Sequence, residues 1–302
     1  MTSTNLPAVP LIGGLADIAD GYDAILCDVW GVIHNGKAPH EAACAALAAF
    51  REARGPVVLV SNAPRPASEI PAQLAHIGVP EAAWDAIVTS GDATRHLVAE
   101  GSFGDRVFHL GPDRDLPLFA EIAATRLTDP DADADFIICT GPFDDETETP
   151  DDYREMFARF IPRGLPMICA NPDLVVERGD RLITCAGGLA KLYAEMGGRS
   201  VYAGKPHAPI YRIARETLSR LGAAPGQGWE RVLFVGDGMP TDMPGAAREG
   251  MDALFVTGGI HAAEFGPDPL SPDQAELDAV MAKAGLSPRF AVPKLRWTTG
   301  RQ

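Results

Sequence analysis

Basic residues are scarce in this chain. Its 302 residues include 26 Lys and Arg against 41 Asp and Glu, a formal net charge of −15. Binding a phosphate backbone needs clustered cations, so nucleic acid is excluded as a partner, and so is an anionic membrane surface. Long apolar runs are missing too, with nothing near the roughly 18 residues of a membrane span. The opening MTSTNLPAVPLIGG lacks a basic segment followed by a continuous apolar one, so no signal peptide is expected. Cysteine is sparse and odd in number: Cys27, Cys44, Cys139, Cys169 and Cys185, with no CxxC pair. A disulfide framework or a zinc site is disfavoured, and free buried thiols in a reducing cytoplasm are expected. There is no GxSxG elbow, no Walker A sequence and no HExxH. GDGMPTD lacks the twelve-residue pattern ending in Glu that a calcium loop requires.

What is present is ordinary globular chemistry. Hydrophobic residues make up 46% of the chain although aromatics are only 7%, enough apolar area for a real core. The length corresponds to two domains or one large one, at about 150 residues per domain. Short apolar runs ending in small polar residues recur: AILCDVW (24–30), GPVVLVSN (55–62), DAIVTSG (85–91), RVLFVGDG (231–238) and DALFVTGG (252–259). Runs without strict alternation predict strands covered on both faces, as in a parallel sheet. Helical stretches lie between them at 40–54, 66–78 and 208–222. The alternation predicts an α/β fold with a doubly wound, Rossmann-like parallel sheet, whose ligands bind at the strands' C-terminal tips.

The middle of the chain differs in texture. From Leu127 to Tyr153 there are ten acidic residues and no Lys or Arg. Two further apolar runs, RVFHLG (106–111) and DFIICTG (135–141), flank much of this stretch. They predict an inserted α/β domain over 101–194, between core segments 1–100 and 195–302. An acidic stretch at a mouth would repel anions, so it is expected to face solvent away from any entrance. The Pro-rich segment from 264 onward predicts nothing definite.

Four strand-end features carry chemistry: Asp28 in CDVWGV, Ser61 in VSNAPR, Lys205 in AGKP, and Asp237 with Asp242 in GDGMPTD. Each alone is a common cap or turn residue. Taken in order, they resemble the haloacid dehalogenase-like (HAD) hydrolase superfamily. The long insertion between Ser61 and Lys205, with CANPD at 169–173, is similar to the class IIA phosphatases, which carry a C2-type cap there. The resemblance reaches to about Gly259. It implies a Mg²⁺-dependent hydrolase of a small organophosphate, with Asp28 as the nucleophile that forms an aspartyl-phosphate. It also implies a metal held by Asp28, the Trp30 carbonyl and Asp237, with Asp242 coordinating or orienting. Physical chemistry agrees, because two anions must meet and a hard cation with oxygen ligands separates their charge. Lys205 would neutralise the nucleophile and a phosphate oxygen, while Ser61 and the backbone around Asn62 hold the remaining oxygens. Arg65 is a candidate anion clamp. Gly187 and Gly188 are candidates for close backbone approach to substrate.

The pattern departs at Trp30. HAD phosphatases usually place a second Asp there, which protonates the leaving alcohol and later activates water. Trp30 does neither, and general acid–base assistance is worth ~10²–10⁴-fold. His34, on the loop VIHNG, is the candidate substitute acid. Two alternatives stay open: a phosphate-binding pseudoenzyme, and phosphonate hydrolysis with Lys191 forming a Schiff base. The sequence leaves the oligomeric state open, a homo-oligomer included.

Overall fold

A computed structural model describes residues 7–178, 181–223 and 229–298. Thirteen strands are seen among the described residues. In chain order they are β1 (Ala24–Cys27), β2 (Val57–Ser61), β3 (Ala86–Thr89), β4 (Arg106–Leu110), β5 (Thr125–Leu127), β6 (Phe136–Cys139) and β7 (Pro166–Cys169). The series continues with β8 (Val175–Arg178), β9 (Arg181–Thr184), β10 (Arg199–Tyr202), β11 (Val232–Gly236), β12 (Asp252–Val256) and β13 (Phe290–Val292). The α-helices are α1 (Glu41–Ala53), α2 (Ile70–Ile77), α3 (Ser90–Glu100), α4 (Arg154–Phe160), α5 (Ala186–Glu195), α6 (Ala208–Arg220), α7 (Asp242–Glu249) and α8 (Gln274–Ala284).

The first sheet has six strands in the order β13-β12-β11-β1-β2-β3. β1 runs parallel to both β11 and β2, as β12 does to β11 and β13. Every residue of β1 and β11 is buried, which is why these strands read as continuous apolar runs rather than alternating ones. The second sheet has five strands in the order β10-β7-β6-β4-β5, all parallel. Its last strand, β10, lies beyond residue 194. Antiparallel β8 and β9 form a separate hairpin. This is the α/β architecture expected, a Rossmann-like core sheet with an inserted α/β cap.

The chain divides into two compact units, one of Met1–Val60, Gln73–Ile87 and Ala214–Gln302, the other of Ser61–Ala72 and Val88–Ile213. Within the second unit the inserted sheet is buttressed on both faces, as period-two alternation demands. Phe108, Leu110, Ile137, Cys139 and Met167 pack on one side with Phe157 and Phe160 of α4 and Leu189 of α5. Val107, Phe136, Ile138 and Ile168 pack on the other with Leu118 and Ile122.

The C-terminal segment, unreadable in the sequence, supplies α8 and the edge strand β13. β13 also pairs with the N-terminal segment, through Ala291 N–H to Pro10 C=O and Ile12 N–H to Ala291 C=O, both 2.9 Å. All five cysteines are buried, and none forms a disulfide among the described residues. Burial pushes the Cys139 thiol up to about 12, so it is inert as a nucleophile at neutral pH.

Most of the acidic stretch is exposed to solvent, and much of its charge is paired. Asp131 pairs with Arg159, Asp133 and Asp135 with Arg106, and Glu146 with Arg178 and Arg181. Asp145 is buried and takes both Arg114 and Arg178. Burial alone would raise its pKa, but the hydrogen bonds from Arg178 and Arg114 outweigh that and hold the carboxyl below its usual range. Arginines distant in sequence therefore neutralise charges that looked unpaired.

Candidate active site

β1 and β11 are adjacent parallel strands, so their C-terminal ends lie side by side. Asp28 follows β1 directly and its N–H continues the ladder to Val235 C=O at 2.8 Å. Asp237 follows β11, and Asp242 opens α7 after one tight turn. Carboxylate oxygens of Asp28, Asp237 and Asp242 lie within 4.8 Å of one another, and all three residues are buried. Among the described residues no other group of three His, Cys, Asp or Glu side chains meets so closely.

Backbone donors fix the orientation of two of these carboxylates. Asp242 Oδ2 accepts from the N–H groups of Asp237 (3.1 Å) and Gly238 (2.9 Å). Asp237 Oδ2 accepts from the Ile260 N–H at 2.9 Å. Glycines make the room: a Cβ on Gly259 would stand 1.9 Å from Asp237 Oδ2, and one on Gly31 2.1 Å from the same atom. A Cβ on Gly236 would meet Asp242 Oδ2 at 2.4 Å. Gly31, Gly236 and Gly259 were missed in the sequence reading. Their signal there is a glycine within a few residues of each strand end, too common a pattern to single out.

Three buried carboxylates at this separation repel one another strongly in low dielectric. A hard divalent cation relieves that repulsion, and an all-oxygen set that leaves room for water suits Mg²⁺. The donor set therefore fits the metal that the resemblance implies.

Trp30 and His34 belong to the loop after β1. The two rings meet edge to face, 5.0 Å between centroids, and the indole lies over Gly36, where a Cβ would come within 2.7 Å. Gly36 keeps φ at +83°, a conformation that costs glycine little. The Trp30 side chain thus packs its own loop. His34, the candidate substitute acid, is buried in this loop. Burial, helped by the His40 charge, lowers its pKa to about 4, and its Nδ1 accepts from the Gly36 N–H at 3.0 Å. A neutral imidazole used as an acceptor at Nδ1 holds a loop and is a poor acid at neutral pH.

The remaining candidates lie in the second unit. Ser61 ends β2 and its Oγ accepts from the Ala63 N–H at 3.1 Å, which closes a tight turn. Asn62 and Lys205 are buried and joined through their amides: Lys205 N–H donates to Asn62 Oδ1 at 2.8 Å, and Asn62 Nδ2 donates to Lys205 C=O at 3.2 Å. Asp173, the last residue of CANPD, accepts from Asn62 Nδ2 at 2.8 Å. Arg65 lies 4.0 Å from the buried Asp115. Gly187 and Gly188 do allow close approach, but to the chain itself. A Cβ on Gly187 would meet Pro172 C=O at 2.2 Å, and one on Gly188 would meet Leu174 C=O at 3.3 Å. These two glycines let the first turn of α5 pack on the NPD loop. Lys191 is exposed on α5 and paired with Glu195 at 2.7 Å, so it lacks the desolvated setting that a Schiff-base amine needs.

A family model of haloacid dehalogenase-like hydrolases matches residues 25–124, and a second, HAD-hydrolase-like, matches 202–283. The chain belongs to the haloacid dehalogenase-like hydrolases. This HAD-like hydrolase is 44% identical to a solved haloacid dehalogenase-like hydrolase from Brucella suis 1330, with a TM-score of 0.82 over 94% of this chain and 100% of that one. It is 30% identical over 260 residues to the D-glycerol 3-phosphate phosphatase of Mycobacterium tuberculosis, covering 82% of this chain and 67% of that protein. To the ribonucleotide monophosphatase NagD of Escherichia coli it is 25% identical over 267 residues, 85% of this chain and 98% of NagD. These relatives place it in the class IIA, NagD-like phosphatase branch of the superfamily. No helix among the described residues is long and apolar enough to cross a membrane.

Proposed function

We propose that this HAD-like hydrolase cleaves small phosphomonoesters through an aspartyl-phosphate on Asp28. The observation that carries the reading is the buried triad Asp28, Asp237 and Asp242 at the ends of β1 and β11. An Asp28 carboxylate oxygen attacks phosphorus and the P–O bond to the leaving group breaks. Water then attacks the phosphorus of the aspartyl-phosphate, which returns the Asp28 carboxylate and releases inorganic phosphate. Mg²⁺, held by Asp28, the Trp30 carbonyl, Asp237 and Asp242, would screen the charge between nucleophile and phosphoryl oxygens. Lys205 and Ser61 take phosphoryl oxygens. The inserted sheet and its helices, through β10, serve as the cap.

The Trp30 side chain donates no proton to the leaving oxygen, and neutral His34 does not replace it. The leaving group must then depart on its own basicity or take a proton from solvent. Substrates with acidic leaving groups are favoured over alkyl phosphates by the ~10²–10⁴ that general acid catalysis is worth. The relatives are named for glycerol 3-phosphate and ribonucleotide monophosphates, so the panel that tests the reading holds both beside an aryl phosphate. Phosphate release is measured with Mg²⁺ and with EDTA, with Asp28→Asn as control. Mg²⁺- and Asp28-dependent release is expected, fastest from the aryl ester. No Asp28-dependent release from any ester would overturn the reading and favour a phosphate-binding protein.

A further inference from the structure

Asn62 carries a carboxamide whose hydrogen-bonding groups are used within the chain. Its Oδ1 accepts the Lys205 N–H at 2.8 Å, while its Nδ2 donates to the Lys205 C=O at 3.2 Å and to Asp173 Oδ1 at 2.8 Å. A primary amide that faces both the N–H and the C=O of one residue imitates a strand neighbour, so it fixes that residue's backbone in position and direction. The Asp173 bond is charge-assisted, and a carboxylate only accepts, so it forces the nitrogen to the Asp173 side.

The surroundings are built around this clamp. A Cβ on Gly204 would stand 2.4 Å from Asn62 Oδ1 and 2.7 Å from the buried Ser90 hydroxyl, so glycine is required immediately before Lys205. Asp173 is anchored by its main chain as well: its C=O accepts the Gly187 N–H at 3.1 Å, and its N–H donates to Asn171 Oδ1 at 3.1 Å. The α5 turn therefore sets Asp173, Asp173 sets the Asn62 amide, and Asn62 sets Lys205.

We propose that Asn62 and Asp173 are positioning residues that act through Lys205, and that neither touches substrate with its side chain. The inference rests on the proposed role of Lys205 as the phosphate-neutralising cation. A side chain displaced by about 1 Å from its productive position can cost ~10² in rate. Asn62→Ala is therefore expected to lower kcat by ~10–10²-fold on an aryl phosphate, with the activating Mg²⁺ concentration unchanged. Asp173→Ala is expected to do the same more weakly. Asp173→Asn, whose side-chain oxygen still accepts from Asn62, should restore most of the activity.

The deciding test is coupling. Affinity for inorganic phosphate is measured by calorimetry in saturating Mg²⁺ for wild type, Asn62→Ala, Lys205→Ala and the double variant, which needs no turnover. If Asn62 acts through Lys205, Asn62→Ala weakens phosphate at least fivefold in the wild-type background and less than twofold once Lys205 is gone. An equal loss in both backgrounds, or no loss in either, would overturn the proposal. Thermal melts of each variant separate a folding defect from displacement of Lys205, and Asp173→Asn keeps the test decisive if Asp173→Ala fails to fold. Failure here with intact Asp28-dependent release refutes the clamp alone, whereas absence of that release in the wild type refutes the hydrolase reading.

Discussion

Gly259→Ala is the sharpest single perturbation of the acidic site. The new Cβ would lie 1.9 Å from Asp237 Oδ2 and 2.4 Å from Asp237 Cβ, whereas ordinary contact begins at 3.4 Å. The carboxylate must therefore retreat by the difference, about 1.5 Å, or the backbone at Gly259 must move with Ile260, whose N–H holds that same oxygen at 2.9 Å. Retreat toward Gly31 is closed, because the oxygen already occupies the space where a Gly31 Cβ would be, 2.1 Å away. Overpacking a tight site costs ~1–3 kcal/mol of stability. At roughly 2–4 °C per kcal/mol for a domain of this size, the melting temperature should fall by about 2–12 °C. The functional loss should be larger, because displacing a reacting group by about 1 Å costs ~10² in rate. The assay is phosphate release from an aryl ester as a function of Mg²⁺, with melts in parallel. Expected are a kcat lowered by ~10²-fold and a rightward shift of the Mg²⁺ activation curve. Gly21→Ala, where nothing lies within 4 Å of the new Cβ, is the control and should match wild type. Wild-type kcat and Mg²⁺ dependence in Gly259→Ala would refute the placement of Asp237 at the metal.

Three further outcomes are expected. Trp30→Asp should raise turnover of alkyl phosphates by up to ~10²–10⁴-fold while changing aryl phosphate turnover much less, read as a ratio of kcat/KM values. Asp145→Ala removes the buried carboxylate shared by Arg114 and Arg178, whose own side chains are half exposed, so chemical denaturation should show a loss of about 1–3 kcal/mol. His109, lowered to about 4 chiefly by burial and further by the Arg126 charge, sets an acid limit on stability. The unfolded state binds its proton at about 6.5 and the folded state only near 4, so this contribution falls as pH drops through that window and is constant above it. His109→Gln should flatten the loss of stability between pH 6.5 and 4 relative to wild type, an effect separable from Asp115, whose raised pKa acts in the opposite sense.

The fold was legible where burial is two-sided. β1, β2, β11 and β12 are apolar runs because both faces are covered, and Asp28 and Asp237 stand out as the polar residues ending two of them. The short strands β5 and β13, three residues each, carry too little periodicity to read, and the proline-rich surroundings of β13 mask it further. Roles that depend on side-chain partners were the least legible. Composition marks His34 as a titratable loop residue, but only the fold shows it buried with Nδ1 taken by Gly36. Likewise only the fold shows that Gly187 packs closely against the Pro172 carbonyl. Asn62 joins residues 111 and 143 positions away, and no local pattern encodes such a pairing.

The central claim is covalent chemistry at Asp28 without an acid–base partner at position 30. Loss of that partner also slows activation of water, so the aspartyl-phosphate should accumulate during turnover of an aryl phosphate. Quenching turnover in acid and reducing with borohydride converts an acyl phosphate to an alcohol, which peptide mass spectrometry locates. Homoserine at position 28, dependent on substrate and on Mg²⁺, is the predicted result. Phosphate release in Mg²⁺ with Asp28 unmodified throughout, or with the reduced residue at another carboxylate, would contradict the account.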